Sequence, residues 1–119
     1  MENASILVVD DEALIRMATV YTLQDAGYFV AEASNADEAI IMLERCPDIS
    51  AVLTDINMPG SMDGLQLSRL IRDRWPLIGL VVTSGRYLVK AAQMPARVHF
   101  IAKPYTPYEI VSALQSCAA

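Results

Sequence analysis

The sequence predicts an α/β fold with a five-stranded parallel sheet, doubly wound by helices on both faces. Short apolar runs alternate with helical patterns five times along 119 residues, the runs have the length and β-branched content of buried strands, and turn residues separate the segments. Because strand crossovers are right-handed, few topologies remain, and we expect the flavodoxin-like strand order 2-1-3-4-5 with five helices. The length suits a single domain over residues 1–119.

The five predicted strands are apolar runs that stop at polar or turn residues. Continuous apolar runs, rather than alternating ones, are typical of strands buried on both faces of a parallel sheet. The first and third runs stop at carboxylates, and the fifth stops at a lysine. The predicted ranges are Ser5–Val9, Tyr28–Ala33, Ala51–Asp55, Gly79–Thr83 and Val98–Ala102.

The first predicted helix spans Ala13–Ala26. Gly27 follows it directly, at the position where a left-handed residue commonly caps a helix. The helix is indicated by apolar residues at nearly helical spacing, namely Leu14, Ala18, Tyr21 and Leu23.

The other predicted helices are bounded by capping residues and prolines. Asparagine, aspartate and threonine satisfy the unpaired N–H groups of a first turn, and a proline ends the pattern. The predicted bounds are Asn35 to just before Pro47, Asp63 to Trp75, Tyr87 to Gln93 and Thr106 to about Cys117. The third of these has barely two turns and is the weakest pattern in the chain.

The composition is that of a globular domain, with 54% hydrophobic and 19% charged residues. No apolar stretch approaches the roughly 20 residues of a membrane span, and the first residues lack the basic start of a signal peptide, so we expect a cytoplasmic location. A formal charge of -5 disfavours non-specific binding to nucleic acid or to anionic membranes. Cys46 and Cys117 are widely separated and form neither a zinc pattern nor an evident disulfide.

The predicted topology brings five polar residues to one edge of the sheet, since the carboxyl ends of parallel strands meet there. They are Asp10, Asp11, Asp55, Ser84 and Lys103. Crowded carboxylates repel one another and are commonly neutralised by a hard divalent cation such as Mg²⁺. An ammonium and a hydroxyl group suit phosphoryl oxygens. The pattern therefore predicts phosphoryl transfer, with Asp55 as the nucleophilic acceptor.

These motifs resemble those of the receiver domains of two-component response regulators, and the resemblance covers essentially the whole chain. The matching motifs are Asp10 with Asp11, residues 55–60 with Asp63 and Gly64, Ser84 with Gly85, and Lys103 with Pro104. Each dipeptide alone is common, but the set is specific.

The resemblance implies that a histidine kinase or a histidine phosphotransfer protein phosphorylates Asp55. It further implies that Asp11 and Asp55 ligate Mg²⁺ with help from Asp10, and that Asn57 contributes its backbone carbonyl. Lys103 would pair with the phosphoryl group, and its peptide bond to Pro104 would be cis.

The resemblance also implies a conformational switch that acts on a downstream protein target. Thr83 and Ser84 both offer a hydroxyl, and we choose Ser84 because the family pattern places a small residue, here Gly85, after it. Thr83 remains the alternative. Phe100 stands where receivers carry a switch aromatic, three residues before Lys103.

Two features depart from the family pattern. Residues 60–63 hold one residue more than the common form, and the interval from Ser84 to Lys103 is shorter than usual. Because the shortening removes part of the surface on which relatives dimerise, we do not carry dimerisation over and favour a monomer.

The sequence is compatible with several alternatives. The chain is either a stand-alone receiver, since nothing after Cys117 could form an output domain, or a module from a hybrid histidine kinase or larger regulator. A flavodoxin-like phosphatase also uses an Asp nucleophile, but usually has a second acid two residues later, where this chain has Asn57. We therefore expect slow self-hydrolysis and no enzymatic turnover. A nucleotide-binding module is disfavoured because a glycine-rich phosphate loop is absent.

Overall fold

A computed structural model of the chain describes residues 5–56, 60, 62–84 and 98–118. The elements in these residues are β1 (Ser5–Val9), α1 (Ala13–Asp25), β2 (Phe29–Ala33), α2 (Ala36–Arg45), β3 (Ile49–Asp55), α3 (Gly64–Arg74), β4 (Gly79–Ser84), β5 (Val98–Ala102) and α4 (Pro107–Ala118). All adjacent strands are parallel, in the order β2-β1-β3-β4-β5. The predicted fold class and strand order are confirmed, while the predicted helix Tyr87–Gln93 lies outside the described residues.

Alternate residues of the central strands enter two hydrophobic clusters, one on each face of the sheet. In β1, Leu7 and Val9 belong to the cluster that includes residues of α2 and α3, whereas Ile6 and Val8 belong to the cluster that includes residues of α1 and α4. Successive side chains of a strand point to opposite faces, so a strand covered on both sides must be apolar throughout. This arrangement explains why β1 reads as one uninterrupted apolar run.

Only one of the four apolar residues whose spacing predicted α1 lies on its buried face. Leu23 is buried, but Leu14 and Tyr21 are 82% and 72% exposed. Thr19 is buried instead, and its hydroxyl lies 2.8 Å from the Tyr105 hydroxyl. Because this hydrogen bond satisfies the threonine, the helix can turn a polar residue inward and leave apolar ones outside.

The predicted element ends agree with the structure to within two residues. The strand β3 begins at Ile49, two residues before the predicted start, and β4 includes Ser84. Gly27 has φ of 99° after α1, as its predicted capping position requires.

Side-chain caps begin the remaining helices. The Glu38 N–H donates to Asn35 Oδ1 at 2.8 Å, and reciprocal bonds join Asp63 with Gln66 and Thr106 with Glu109. Both cysteines are free thiols, as predicted. No helix in the described part of the chain is long and apolar enough to cross a membrane.

Gly64 brings the start of α3 against the end of β3. Its N–H donates to the Ile56 carbonyl at 2.9 Å. A Cβ atom at this position would overlap the main-chain carbonyl of Asp55 and lie 2.9 Å from the Ile56 Cα. Since these atoms are backbone, no change of rotamer could relieve the overlap, and glycine is required for this close approach.

We expect Gly64→Ala to lower the free energy of unfolding by about 3 kcal/mol, because the added methyl overpacks against fixed backbone. Gly60→Ala is the matched control: Gly60 has φ of 113°, but a Cβ there meets open space. Its expected loss is about 1 kcal/mol, from backbone strain alone. Urea denaturation of both variants measures the two losses, and equal losses would contradict the contact argument.

Candidate functional site

The candidate site lies where β1, β3 and β5 end at the same edge of the sheet. Val9 pairs with Thr54, so Asp10 and Asp55 follow at neighbouring positions. The Lys103 ammonium group lies 3.1 Å from Asp55 Oδ2 and 3.5 Å from Asp10 Oδ2. The structure therefore brings together a lysine and two acids that are separated by up to 93 residues in the chain.

A group of three carboxylates could hold a metal ion at this edge. One oxygen from each of Asp10, Asp11 and Asp55 lies within 4.8 Å of the others. Asp10 and Asp55 are each only 4% exposed, whereas Asp11 is exposed. Oxygen ligands with one side open to water fit Mg²⁺, which binds through one or two carboxylates and retains several waters. This donor set fits the predicted cofactor.

Burial and charge shift the pKa values of Asp10 and Lys103. Burial raises the pKa of the Asp10 carboxyl, and the neighbouring Asp55 charge raises it further, against the opposing effects of the Glu12 N–H and Lys103. For Lys103, burial alone lowers the pKa, but its hydrogen bond to Asp55 and the charges of Asp55 and Asp10 outweigh burial and raise it. The ammonium group is therefore charged at neutral pH.

Thr83 and Ser84 are both buried at the end of β4. Thr83 pairs with Asp55 across the sheet, whereas Ser84 pairs with Ala102. The Ser84 carbonyl accepts the Lys103 N–H at 3.0 Å, so Ser84 lies directly beside the lysine. The choice of Ser84 as the functional hydroxyl stays a prediction.

The other predicted site features have mixed outcomes. The peptide bond between Lys103 and Pro104 is cis, as predicted. Phe100 is half-buried in β5 beside Val82, and its switch role stays a prediction. Asn57 lies outside the described residues.

Two contacts near the site were not found by sequence reasoning. Arg16 donates to the Asp10 carbonyl at 2.7 Å, and Tyr105 links the Lys103 loop to Thr19 of α1. The only sequence feature that could have indicated the contact of Arg16 is that this basic residue follows the acids by about one helical turn. Nothing in the sequence indicated that Tyr105 and Thr19, 86 residues apart, would meet.

The exposed side of α1 carries an apolar stripe. Leu14, Met17 and Tyr21 are 82%, 60% and 72% exposed and follow one another at helical spacing. The helix begins three residues after Asp10. An apolar surface therefore starts close to the acidic cluster.

Comparison with known proteins identifies the family. The response regulator receiver domain model matches residues 6–115. This chain belongs to that family. Receiver domains are signalling domains of two-component systems rather than conventional enzymes. The motifs that suggested the resemblance all fall within residues 6–115.

Relatives of this receiver domain include larger regulators and a kinase. A putative NtrX-like response regulator of Rickettsia felis is 32% identical over 119 residues, covering 97% of this chain and 25% of that protein. The sensor kinase CckA of Brucella abortus is 32% identical over 117 residues, covering 95% of this chain and 12% of that protein. The chain thus spans a quarter or less of these relatives.

A solved structure supports the same conclusion for the fold. The response regulator receiver protein of Sinorhizobium medicae superposes with a TM-score of 0.91 at 31% identity, covering 98% of this receiver domain and 95% of that chain.

We expect Asp10→Asn to raise the free energy of unfolding of the metal-free protein at pH 7, because it removes a buried charge while an oxygen remains to accept the Glu12 N–H. The pKa of Asp10 in the folded state is raised above its ordinary value of 3.8. The wild type therefore gains stability as the pH falls through the folded-state pKa towards that ordinary value. The advantage of the variant should shrink over this range. Urea denaturation in EDTA at several pH values measures it.

Glu38→Gln provides a control of opposite sign. The backbone N–H and hydroxyl of Ser34 hold the pKa of Glu38 below 4.5. This variant should lose stability at pH 7, and its deficit should disappear as the pH falls through the folded pKa. An Asp10→Asn protein that is less stable than the wild type at pH 7 would contradict the buried-charge argument.

Proposed function

We propose that Asp55 accepts a phosphoryl group from a histidine kinase or a histidine phosphotransfer protein, and that the modified domain switches a protein-binding surface. The observation that carries this proposal is the buried Asp55 carboxylate, held 3.1 Å from the Lys103 ammonium beside two further acids. A buried nucleophile with a charge-neutralising lysine suits acyl phosphate formation.

Mg²⁺ is the proposed cofactor. Asp11 and Asp55 would ligate it, Asp10 would assist, and the family implies a further ligand in the backbone carbonyl of Asn57. When bound, the ion neutralises negative charge on the phosphoryl oxygens. The convergence of the three carboxylates supports this assignment.

The side chains divide the transfer step between them. A carboxylate oxygen of Asp55 forms a bond to phosphorus as the bond from phosphorus to the donor nitrogen breaks. Lys103, already charged and within reach of Asp55, pairs with the phosphoryl oxygens that gain negative charge. The low exposure of Asp55 limits the approach of water, which supports a slow self-hydrolysis rather than turnover of external substrates.

The proposed switch uses Ser84 and Phe100. Phosphorylation adds negative charge and strong acceptors at Asp55, which would draw the Ser84 hydroxyl towards the phosphoryl group. Phe100 would then move into the space behind Ser84 and shift the domain between two pre-existing states. Ser84 is buried beside Lys103, and Phe100 is half-buried on the adjacent strand, which supports this coupling.

The donor must approach closely, because Asp55 is almost fully buried. The stripe formed by Leu14, Met17 and Tyr21 offers an apolar surface for such a partner near the site. The names of the relatives fit both forms of the proposal, a separate regulator and a module of a sensor kinase. We propose a single receiver domain over residues 1–119, monomeric and cytoplasmic, that binds neither nucleic acid nor membranes.

Incubation with acetyl phosphate and Mg²⁺, followed by intact mass measurement, tests the proposed function. We expect one phosphoryl adduct on the wild type, no adduct on Asp55→Asn, and no adduct on the wild type when EDTA removes the metal. An adduct that persists on Asp55→Asn would place the phosphoryl group elsewhere. A folded wild type that gains no adduct, even from a histidine kinase, would indicate a degenerate receiver used only for binding.

Two substitutions that each remove one hydroxyl test whether Ser84 or Thr83 acts on the phosphoryl group. We expect Ser84→Ala to slow phosphorylation by acetyl phosphate about tenfold, since it removes a hydrogen bond to the transferring group. Thr83→Val removes the other hydroxyl from a side chain of nearly the same shape and should change the rate less than about twofold, because the hydrogen bond comes from Ser84. Stopped-flow or quenched mass measurements give both rates, and the reverse ranking would assign the role to Thr83.

A further inference from the structure

The side chain of Arg16 joins three elements at the edge of the sheet that holds the acids. It extends from α1, and its Nη1 donates to the Asp10 main-chain oxygen at 2.7 Å. Its Nε donates to Glu32 Oε1 of β2 at 3.1 Å. The arginine side chain is only 19% exposed. A planar guanidinium group presents its donors in a fixed geometry, so Arg16 can bond the Asp10 carbonyl and the Glu32 carboxylate at once, which a lysine does less well.

The contact with Asp10 involves its backbone and leaves its carboxylate to other partners. Asp10 Oδ1 accepts the Glu12 N–H at 2.9 Å, and Oδ2 faces Lys103 at 3.5 Å. The Asp10 N–H in turn donates to the Ala33 carbonyl at 3.1 Å. The peptide groups on either side of the Asp10 Cα are thus held by β2 and by α1. These bonds fix the backbone from which the carboxylate extends, and they do not neutralise its charge.

We propose that Arg16, anchored by Glu32, is a positioning residue for the divalent-cation site, an inference that rests on the proposed function. It holds the turn after β1 so that the carboxylates of Asp10 and Asp11 converge with that of Asp55. Neither Arg16 nor Glu32 touches the cation in this account.

The sign of the effect on Mg²⁺ affinity separates positioning from simple charge. The Arg16 guanidinium is a positive charge next to the acidic cluster, so by Coulomb repulsion alone its removal would tighten cation binding. A positioning role predicts the opposite, because a turn without its tether must be ordered when the cation binds. A measurement of the Kd for Mg²⁺ therefore distinguishes a positioning role from simple charge repulsion.

Isothermal titration of the metal-free full chain with MgCl₂ tests the proposal in Arg16→Met, Arg16→Lys and Arg74→Met. We expect Arg16→Met to raise the Kd about tenfold, which is the lower end for residues that orient metal ligands. Arg16→Lys retains the charge but cannot bridge both acceptors, so its Kd should also rise. Arg74 of α3 pairs with Glu44 of α2 at 2.8 Å, and Arg74→Met makes the same charge change with less than about a twofold effect.

The outcomes distinguish this inference from the proposed function. An unchanged or lower Kd in Arg16→Met, or a Kd of Arg16→Lys equal to that of the wild type, would overturn the positioning role even if the wild type is phosphorylated. A lower melting temperature in EDTA without a change in Kd would reduce Arg16 to a structural residue and would overturn it as well. Failure of the wild type to bind Mg²⁺ would refute the proposed function and this inference together. If Arg16→Met does not fold, Arg16→Lys decides.

Discussion

The charge balance among Lys103, Asp55 and Asp10 is the constraint on which the rest of this receiver domain depends. Two carboxylates that are each 4% exposed share one ammonium group at 3.1 and 3.5 Å, and Asp11 adds a third acid nearby. A buried charge without a partner is strongly destabilising, so the chain must deliver all of these groups to one place to within about an ångström. The parallel sheet makes this possible, because β1, β3 and β5 end at the same edge.

The parallel sheet meets this requirement because its interior fixes strand register. Each central strand buries alternate residues in the two hydrophobic clusters, and a slip of one residue would exchange the faces. With Val9 beside Thr54, the register places Asp10 next to Asp55, and with Ser84 beside Ala102 it places Lys103 at the same edge. Gly64 adds a local constraint, since α3 begins against the backbone of Asp55 itself. The precision of the site is thus derived mainly from apolar packing.

The sequence predicted those features that depend on local pattern. Strands that are buried on both faces appear as apolar runs, and caps such as Asn35 and Thr106 act on residues three positions away. The sequence did not predict features that depend on a contact between distant parts of the chain. The buried face of α1 depends on Thr19 meeting Tyr105, and Arg16 has meaning only once Asp10 and Glu32 lie side by side. Neither relation has a period or a spacing that a single sequence could reveal.

The same charge balance links stability to signalling. Without a cation, the acids at the edge of the sheet outnumber the single lysine that pairs with them among the described residues. Burial and the neighbouring Asp55 charge together raise the pKa of Asp10. A domain that filled this edge with neutral groups would be more stable but could neither bind a cation nor offer a carboxylate to phosphorus. In the proposed function, adding a phosphoryl group would increase the negative charge further, and the cation and Lys103 would together offset it. A site whose excess negative charge is balanced only by its ligands is one in which ligand binding can change the preferred conformation, which is what a switch requires.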